Sequence, residues 1–402
     1  MRRKHTILRD AAGASTSEPF EAGAARRRRR RSASAEALEA PLPAPSIETA
    51  ELSPNDLRTL ARDADVVGIA PVMPTRLVEP KAGGAAAAGA AAWGIAAVRA
   101  DVSSFNGSGV TVAVLDTGID AGHVAFQGVS LQQEDFSGSG NGDGNGHGTH
   151  CAGTIFGRDV NGTRIGIATG VQKALIGKVL KNDGHGDSDM IFRAIQWASN
   201  NGAHVISMSL GFDFPGLVDY LVNQEGLPVA LATSAALEGY RGNLRMFDAL
   251  MNMIQAQAAF GPGSVVVAAA GNESQRDVNP DFEIGAGLPA AADGVISVGA
   301  LQQNGGALDI APFSNTFPQI SGPGVDIVSA KVGGGLRSLS GTSMACPHVA
   351  GVTALWWHAV RQMPVPHTAS TVTARLFASA RTDAFAAGVD VADRGVGLVT
   401  AP

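Results

Sequence analysis

Five short apolar runs constrain this chain more than anything else in it. VTVAVLD (110–116), KALIGKVL (173–180), HVISMSLG (204–211), SVVVAAAGN (264–272) and GVISVGAL (294–301) are continuous rather than alternating. A strand reads that way when both of its faces are buried. Between them, SDMIFRAIQWASNNG (188–202) places Met190, Ile191, Ala194, Ile195 and Ala198 at helical spacing. Strands alternating with helices predict an α/β fold, a mostly parallel doubly wound sheet with helices on both faces. In such sheets, sites form at the carboxyl ends of the strands.

The bulk numbers agree. The chain has 402 residues, 45% hydrophobic and 16% charged, enough for one large domain and a smaller segment. Its 51 glycines favour tight turns over a helical bundle. The net charge of −6 is uneven: residues 1–50 carry +4 and the remainder −10. An acidic body argues against nucleic acid or a membrane surface as partner. Two cysteines, Cys151 and Cys346, make no disulfide framework. No stretch is apolar enough to span a bilayer. MRRKHTILRD has charges but lacks the apolar core of a signal peptide. The expected compartment is therefore the cytoplasm, or the exterior if the true start lies elsewhere.

Composition divides the chain into 1–82, a Gly/Ala connector at 83–92, and a main domain at 93–402. Residues 11–47 have no apolar period and read as disordered, with Arg26 to Arg31 a solvated run. Residues 46–80 read as a small α+β unit: a strand in SIETAEL, a helix capped by Ser53, and a strand in VVGIAPVMPTRLV.

Four motifs carry chemistry. LDTGID (115–120) ends a buried strand on Asp116. NGHGTHCAGTI (145–155) holds His147 and His150 one helical turn apart, without the intervening carboxylate of a zinc-binding HExxH. AAAGNES (268–274) follows a strand with Gly271 and Asn272, whose amide can donate to a developing oxyanion. SGTSMACPHVAGVTALWW (340–357) starts an apolar helix near Ser343, where a helix dipole favours negative oxygen. Each alone has an ordinary reading: a turn Asp, packed histidines, a turn Asn, a Ser cap.

Together, in the order Asp116, His147, Asn272, Ser343, they resemble the subtilisin-like serine protease family over roughly residues 93–402, and HGTHCAGT resembles its proteinase K branch. The resemblance implies a serine endopeptidase needing no cofactor for its chemistry and acting on polypeptides, most simply as a monomer. It makes Ser343 the nucleophile, His147 the base, Asp116 the orienting acid and Asn272 an oxyanion donor, with His150 a structural neighbour. It makes Ser209, Leu210 and Gly211 one substrate-binding edge and Gly184, His185 and Gly186 the other, pairing with any peptide backbone. His185 and Glu273 are expected to be solvated rim residues.

The resemblance also suggests a structural calcium in GRDVNGTRIG, through Asp159 and Asn161, and buried thiols at Cys151 and Cys346. RGVGLVTAP (394–402) would be the last strand. The strand-helix-strand of 46–80, with KHTILRD (4–10) as a first strand, resembles the family's propeptide, so the N-terminal segment is expected to be an intramolecular inhibitor. An insertion at about 217–260, containing RMFDALMNMIQAQAAF, is either a wall beside the cleft or a packed surface excursion. Two other functions fit the same motifs less simply: a transpeptidase or macrocyclase on this fold, and a non-catalytic binding module.

Overall fold

The computed structural model describes residues 2–10, 45–82, 92–258 and 261–402. The N-terminal part contains β1 (Arg3–Arg9), β2 (Ser46–Leu52), α1 (Pro54–Leu60) and β3 (Val66–Pro71). Two short strands follow, β4 (Pro74–Leu77) and β5 (Lys81–Ala82). The main body opens with α2 (Trp93–Ala97), β6 (Thr111–Asp116), β7 (Ser130–Asp135), α3 (His147–Phe156) and β8 (Lys173–Lys178). Next come β9 (His185–Asp187), α4 (Ser188–Asn200), β10 (Val205–Met208) and β11 (Leu210–Phe212). Two helices, α5 (Phe214–Asn223) and α6 (Val229–Gln257), lead to β12 (Val265–Ala269), β13 (Val295–Asn304) and β14 (Ala307–Ile310). The chain ends with β15 (Ile320–Pro323), β16 (Ile327–Ala330), β17 (Leu336–Ser340), α7 (Thr342–Val360), α8 (Ala369–Ala378) and α9 (Val391–Arg394).

The central sheet runs in the order β14-β13-β12-β10-β6-β8-β7, with β15 also on β13. Its pairings are parallel except for β13 with β14. The five apolar runs supply five of these strands, and each is buried on both faces as expected. Successive residues divide between two cores. Val112, Val114, Val265 and Val267 pack with α3 and α7, while Ala113, Leu115, Val266 and Ala268 pack with α4 and α6. The fold is thus the predicted α/β arrangement with helices on both faces.

The N-terminal residues form a separate sheet, β2-β1-β3, antiparallel throughout. Ser53 caps α1 in a capping box with Asp56, as the sequence indicates. Leu8 and Ala70 join the α4/α6 core. The buried Asp189 accepts from Lys4 Nζ (3.2 Å) and Thr49 Oγ1 (3.4 Å), and Asn243 Nδ2 donates to the Pro71 carbonyl (2.8 Å).

Several expectations change. VVGIAPVMPTRLV is two strands in different sheets rather than one, because Pro71 and Pro74 hold strand ends, where a missing N–H costs no ladder bond. Of the stretch expected to be disordered, 11–44, with the arginine run, lies outside the described residues; Ser46 and Ile47 belong to β2. Of the Gly/Ala connector, 83–91 also lies outside them. The insertion is not a surface excursion over its whole length. Met246, Phe247, Leu250, Met251 and Ile254, on the second half of α6, are core residues. RGVGLVTAP forms isolated bridges at Leu398 rather than a strand. Among the described residues, no helix is long and apolar enough to cross a membrane.

Candidate active site

Asp116 is the last residue of β6. Its carbonyl is fixed by the Val179 and Leu180 amides (2.9 and 3.2 Å), while its carboxylate turns into the cleft and accepts from Thr117 N–H (2.7 Å). His147 is the first residue of α3, and its Nδ1 lies 2.8 and 3.0 Å from the two Asp116 oxygens. Both side chains are 1% exposed. With one carboxylate on Nδ1, the imidazole carries its proton there and Nε2 is left as the basic nitrogen. The approach of α3 to β6 depends on Gly148: a Cβ there would lie 2.2 Å from the Gly118 carbonyl oxygen.

A residue that motif reading passed over sets this helix end. Buried Asp143 accepts from the Asn145 and Gly146 amides, from Thr149 N–H and Oγ1, and from Thr117 Oγ1 (2.6–3.1 Å). Thr117 Oγ1 in turn accepts from Gly148 N–H (3.0 Å). One carboxylate thus satisfies the orphan donors at the start of α3 and ties them to the turn after β6. In the sequence Asp143 stands in GNGDGNGHG, which marks only a loop.

His150 faces the other way. Its Nε2 meets the Ile327 carbonyl (3.0 Å), and burial, helped by the nearby Arg337 charge, lowers its pKa to about 3. Cys151 lies beneath His147, with Sγ 3.7 Å from Nδ1, and donates to the Ser343 carbonyl (3.4 Å). Burial pushes its thiol well above the usual range, and that of Cys346 to about 11, so both thiols are buried and protonated, as expected.

Ser343 is the second residue of α7. Its Oγ donates to the Val78 carbonyl (3.0 Å) and lies 3.4 Å from the Ser209 carbonyl; neither partner is His147. Asn272 follows β12. Its Oδ1 accepts from Thr342 N–H (2.8 Å) and Oγ1 (2.9 Å), which leaves Nδ2 pointing into the cleft, where it donates to the Glu79 carbonyl (3.0 Å). Gly341 makes room, since a Cβ there would come 2.9 Å from Asn272 Nδ2. The structure therefore brings Asp116, His147, Asn272 and Ser343 to one cleft at the carboxyl ends of the strands.

That cleft holds the chain's own residues 74–82. Strand β4 lies between β11 and β9, antiparallel to both. Leu77 pairs with Leu210, and Arg76 with Gly211 on one side and His185 on the other. Thr75 pairs with Gly186, and Leu77 N–H donates to the Gly184 carbonyl (2.8 Å). Ser209 contributes its Oγ, which donates to the Ser343 carbonyl (3.1 Å). Beyond Val78 and Glu79 the segment continues as β5 along β17, just before α7. The chain's own strand thus occupies the space between residues 184–186 and 210–211, and His185 is exposed. The non-local pairing that puts residues 74–82 here has no local signature.

Beside Val78 opens an apolar cavity of ≈380 Å³, walled by Gly211, Gly271 and Leu288 from the body and by Phe214, Leu237 and Tyr240 from α5 and α6. The Tyr240 hydroxyl accepts from Leu288 N–H (3.0 Å), which ties the inserted helices to this wall.

For metals, Asp116, His147 and Cys151 are the one group of three His, Cys, Asp or Glu side chains among the described residues whose ligand atoms lie within 4.8 Å of one another. Asp116 and His147 are already engaged with each other. Asp159 and Asn161 are both exposed, and Asn161 (φ 51°) and Gly162 (φ 79°) form the turn that closes the Val160–Thr163 bridge. Turn geometry accounts for the backbone of Asn161.

Known proteins resemble this chain in sequence. The profile described as the subtilase family, Peptidase S8, matches residues 107–397. A thermostable alkaline protease of Halalkalibacterium halodurans is 33% identical over 76% of this chain and 71% of its own length. Subtilisin DY of Bacillus licheniformis is 34% identical over 65% of this chain and 83% of its own. M-protease of Shouchella clausii is 33% identical over 76% and 68%. With a family match over most of the chain and relatives at 33% identity over 76% of it, the chain belongs to the subtilase family.

Proposed function

We propose that this chain, a serine endopeptidase by family, opens peptide bonds through an acyl-enzyme formed on Ser343. His147 takes the hydroxyl proton at Nε2 and passes it to the leaving amine. Asp116 holds the Nδ1 proton and stabilises the imidazolium, and a water then repeats the cycle to release the acyl group. Asn272 Nδ2 and the Ser343 backbone N–H hold the oxyanion. The observation that supports this best is the segment 74–79: β4 lies between two antiparallel edges, and the carbonyls of Val78 and Glu79 just beyond it accept from Ser343 Oγ and Asn272 Nδ2.

The same observation supports the N-terminal segment as an intramolecular inhibitor. The carbonyl next to the nucleophile is that of Val78, whereas Asn272 engages the Glu79 carbonyl one residue further on. Addition at Val78 therefore requires Asn272 to change carbonyls and Ser343 Oγ to turn towards His147. The Val78–Glu79 bond is the first bond presented. After its hydrolysis β4 keeps its ladder bonds, so the cleaved segment still blocks the cleft until it leaves.

Two readouts test this together. Ser343→Ala should abolish casein cleavage, with kcat falling on the order of a millionfold. N-terminal sequencing of the active wild type should read from Glu79, and Ser343→Ala should remain uncleaved there. Casein hydrolysis that survives Ser343→Ala would sink the mechanism; a start elsewhere would sink the assignment of the bond alone.

A further inference from the structure

The residue two before the Val78 carbonyl is Arg76, and the way it is held goes beyond backbone pairing. Its neighbours Thr75 and Leu77 are buried, whereas the Arg76 side chain leaves on the opposite face of the strand. There it meets two carboxylates: Arg76 Nη1 lies 3.5 Å from Asp213 Oδ1, and Nη2 lies 3.8 Å from Glu273 Oε1.

Each carboxylate is held by the body. Asp213 is the N-cap of α5 and accepts from Gly216 N–H (3.1 Å), while its own N–H donates to the Pro74 carbonyl (3.1 Å). Glu273 Oε2 accepts from Asn315 Nδ2 (2.7 Å), and Glu273 N–H donates to Asn315 Oδ1 (3.0 Å). Asp213 stands where the inserted helices begin, and Glu273 follows Asn272 directly. Side chains fixed in this way lose little rotamer freedom when a cation arrives.

We propose that Asp213 and Glu273 form a subsite that selects arginine or lysine two residues before the attacked carbonyl, in substrates as well as in the chain's own segment. This rests on the reading of the cleft above, with Val78 supplying the attacked carbonyl. The preferred substrates are then basic two residues before the cut and apolar at the cut itself, where the ≈380 Å³ cavity takes the side chain. Arg76 and Glu273 are about 40% exposed and Asp213 is 17% exposed. The pairs are partly solvated, so their effect is selection among sequences rather than tight binding.

The test uses the active protein and internally quenched peptides ending in Leu-Val before the scissile bond, with Arg, Lys, norleucine or Glu in the position before Leu. At low salt, kcat/KM should favour Arg and Lys over norleucine by roughly 3- to 20-fold, as two partly exposed ion pairs allow, and the ratio should shrink as salt rises. Asp213→Asn keeps the helix cap and Glu273→Gln keeps a side-chain acceptor for Asn315. Each should lower the Arg-to-norleucine ratio, and the double variant should bring it near one. Glu273→Lys should raise the rate on the Glu peptide relative to norleucine. A wild type that cleaves the norleucine peptide as well as the Arg peptide overturns the subsite, as does a double variant with an unchanged ratio. A wild type that cleaves none of the four overturns the reading of the cleft and the subsite with it.

Discussion

In the reaction proposed, Asn272 serves an oxyanion only when its amide presents nitrogen to the cleft, and Thr342 decides which way it points. Both donors of Thr342 fall on Asn272 Oδ1, so a flipped amide would set N–H against N–H. Asn272→Ala should therefore lower kcat by about 10²–10³ with little change in KM, measured on a small peptide substrate. A proportional rise in KM instead would mean that Asn272 binds ground state and transition state alike. Residues of this kind differ in how far the sequence exposes them. Asp116, His147, Asn272 and Ser343 each stand in a distinctive local motif, so their meeting could be expected. Thr342 acts through its hydrogen bonds to Asn272, and Asp143 through bonds to the turn and helix start that flank Asp116 and His147, and their neighbours carry no mark of it. Asp213 and Arg76 lie far apart in the chain and meet only because β4 enters between two edges.

Helix α6 shows the same limit one level up. RMFDALMNMIQAQAAF announces a helix, but periodicity cannot say against what it packs. The structure gives the helix two jobs along its length. Towards its N-terminus Leu237 and Tyr240 face the cleft cavity, and towards its C-terminus Phe247 lies fully buried against Phe192 and Phe212. Phe247→Ala should cost about 3–5 kcal/mol of stability, as large-to-small changes of buried aromatics do. Leu237→Ala, at a position 45% exposed, should cost little stability. Denaturant midpoints of the two variants, with Ser343→Ala as background to prevent self-digestion, measure this. Equal midpoints would deny the division. The strands are legible because burial on both faces writes itself into composition; the packing partner of α6 is not, because a helix with one apolar stripe looks the same on a surface and on a core.

For the whole molecule, acid acts through three histidines that the proposed reaction does not use. His150 is held at about 3, and His204 and His348 at about 4, all chiefly by burial, with Arg361 adding to the effect at His204. The unfolded chain takes up these protons near 6.5 and the folded chain does not. Protons therefore favour unfolding: the contribution is complete above about 6.5 and is lost as pH falls towards 4 and then 3. Denaturation midpoints of Ser343→Ala should fall steadily from pH 7 to pH 4. A flat profile over that range would mean that these histidines are protonated in place. The strand between β9 and β11 has a consequence at this scale too. While residues 74–82 are covalently joined to the body, their effective concentration at the cleft is fixed by the chain and not by how much protein is present. On the reading proposed, an outside peptide would compete with a partner that cannot be diluted away. Cutting the Val78–Glu79 bond would make that partner an ordinary solute, and from then on the enzyme's freedom to work would depend on volume.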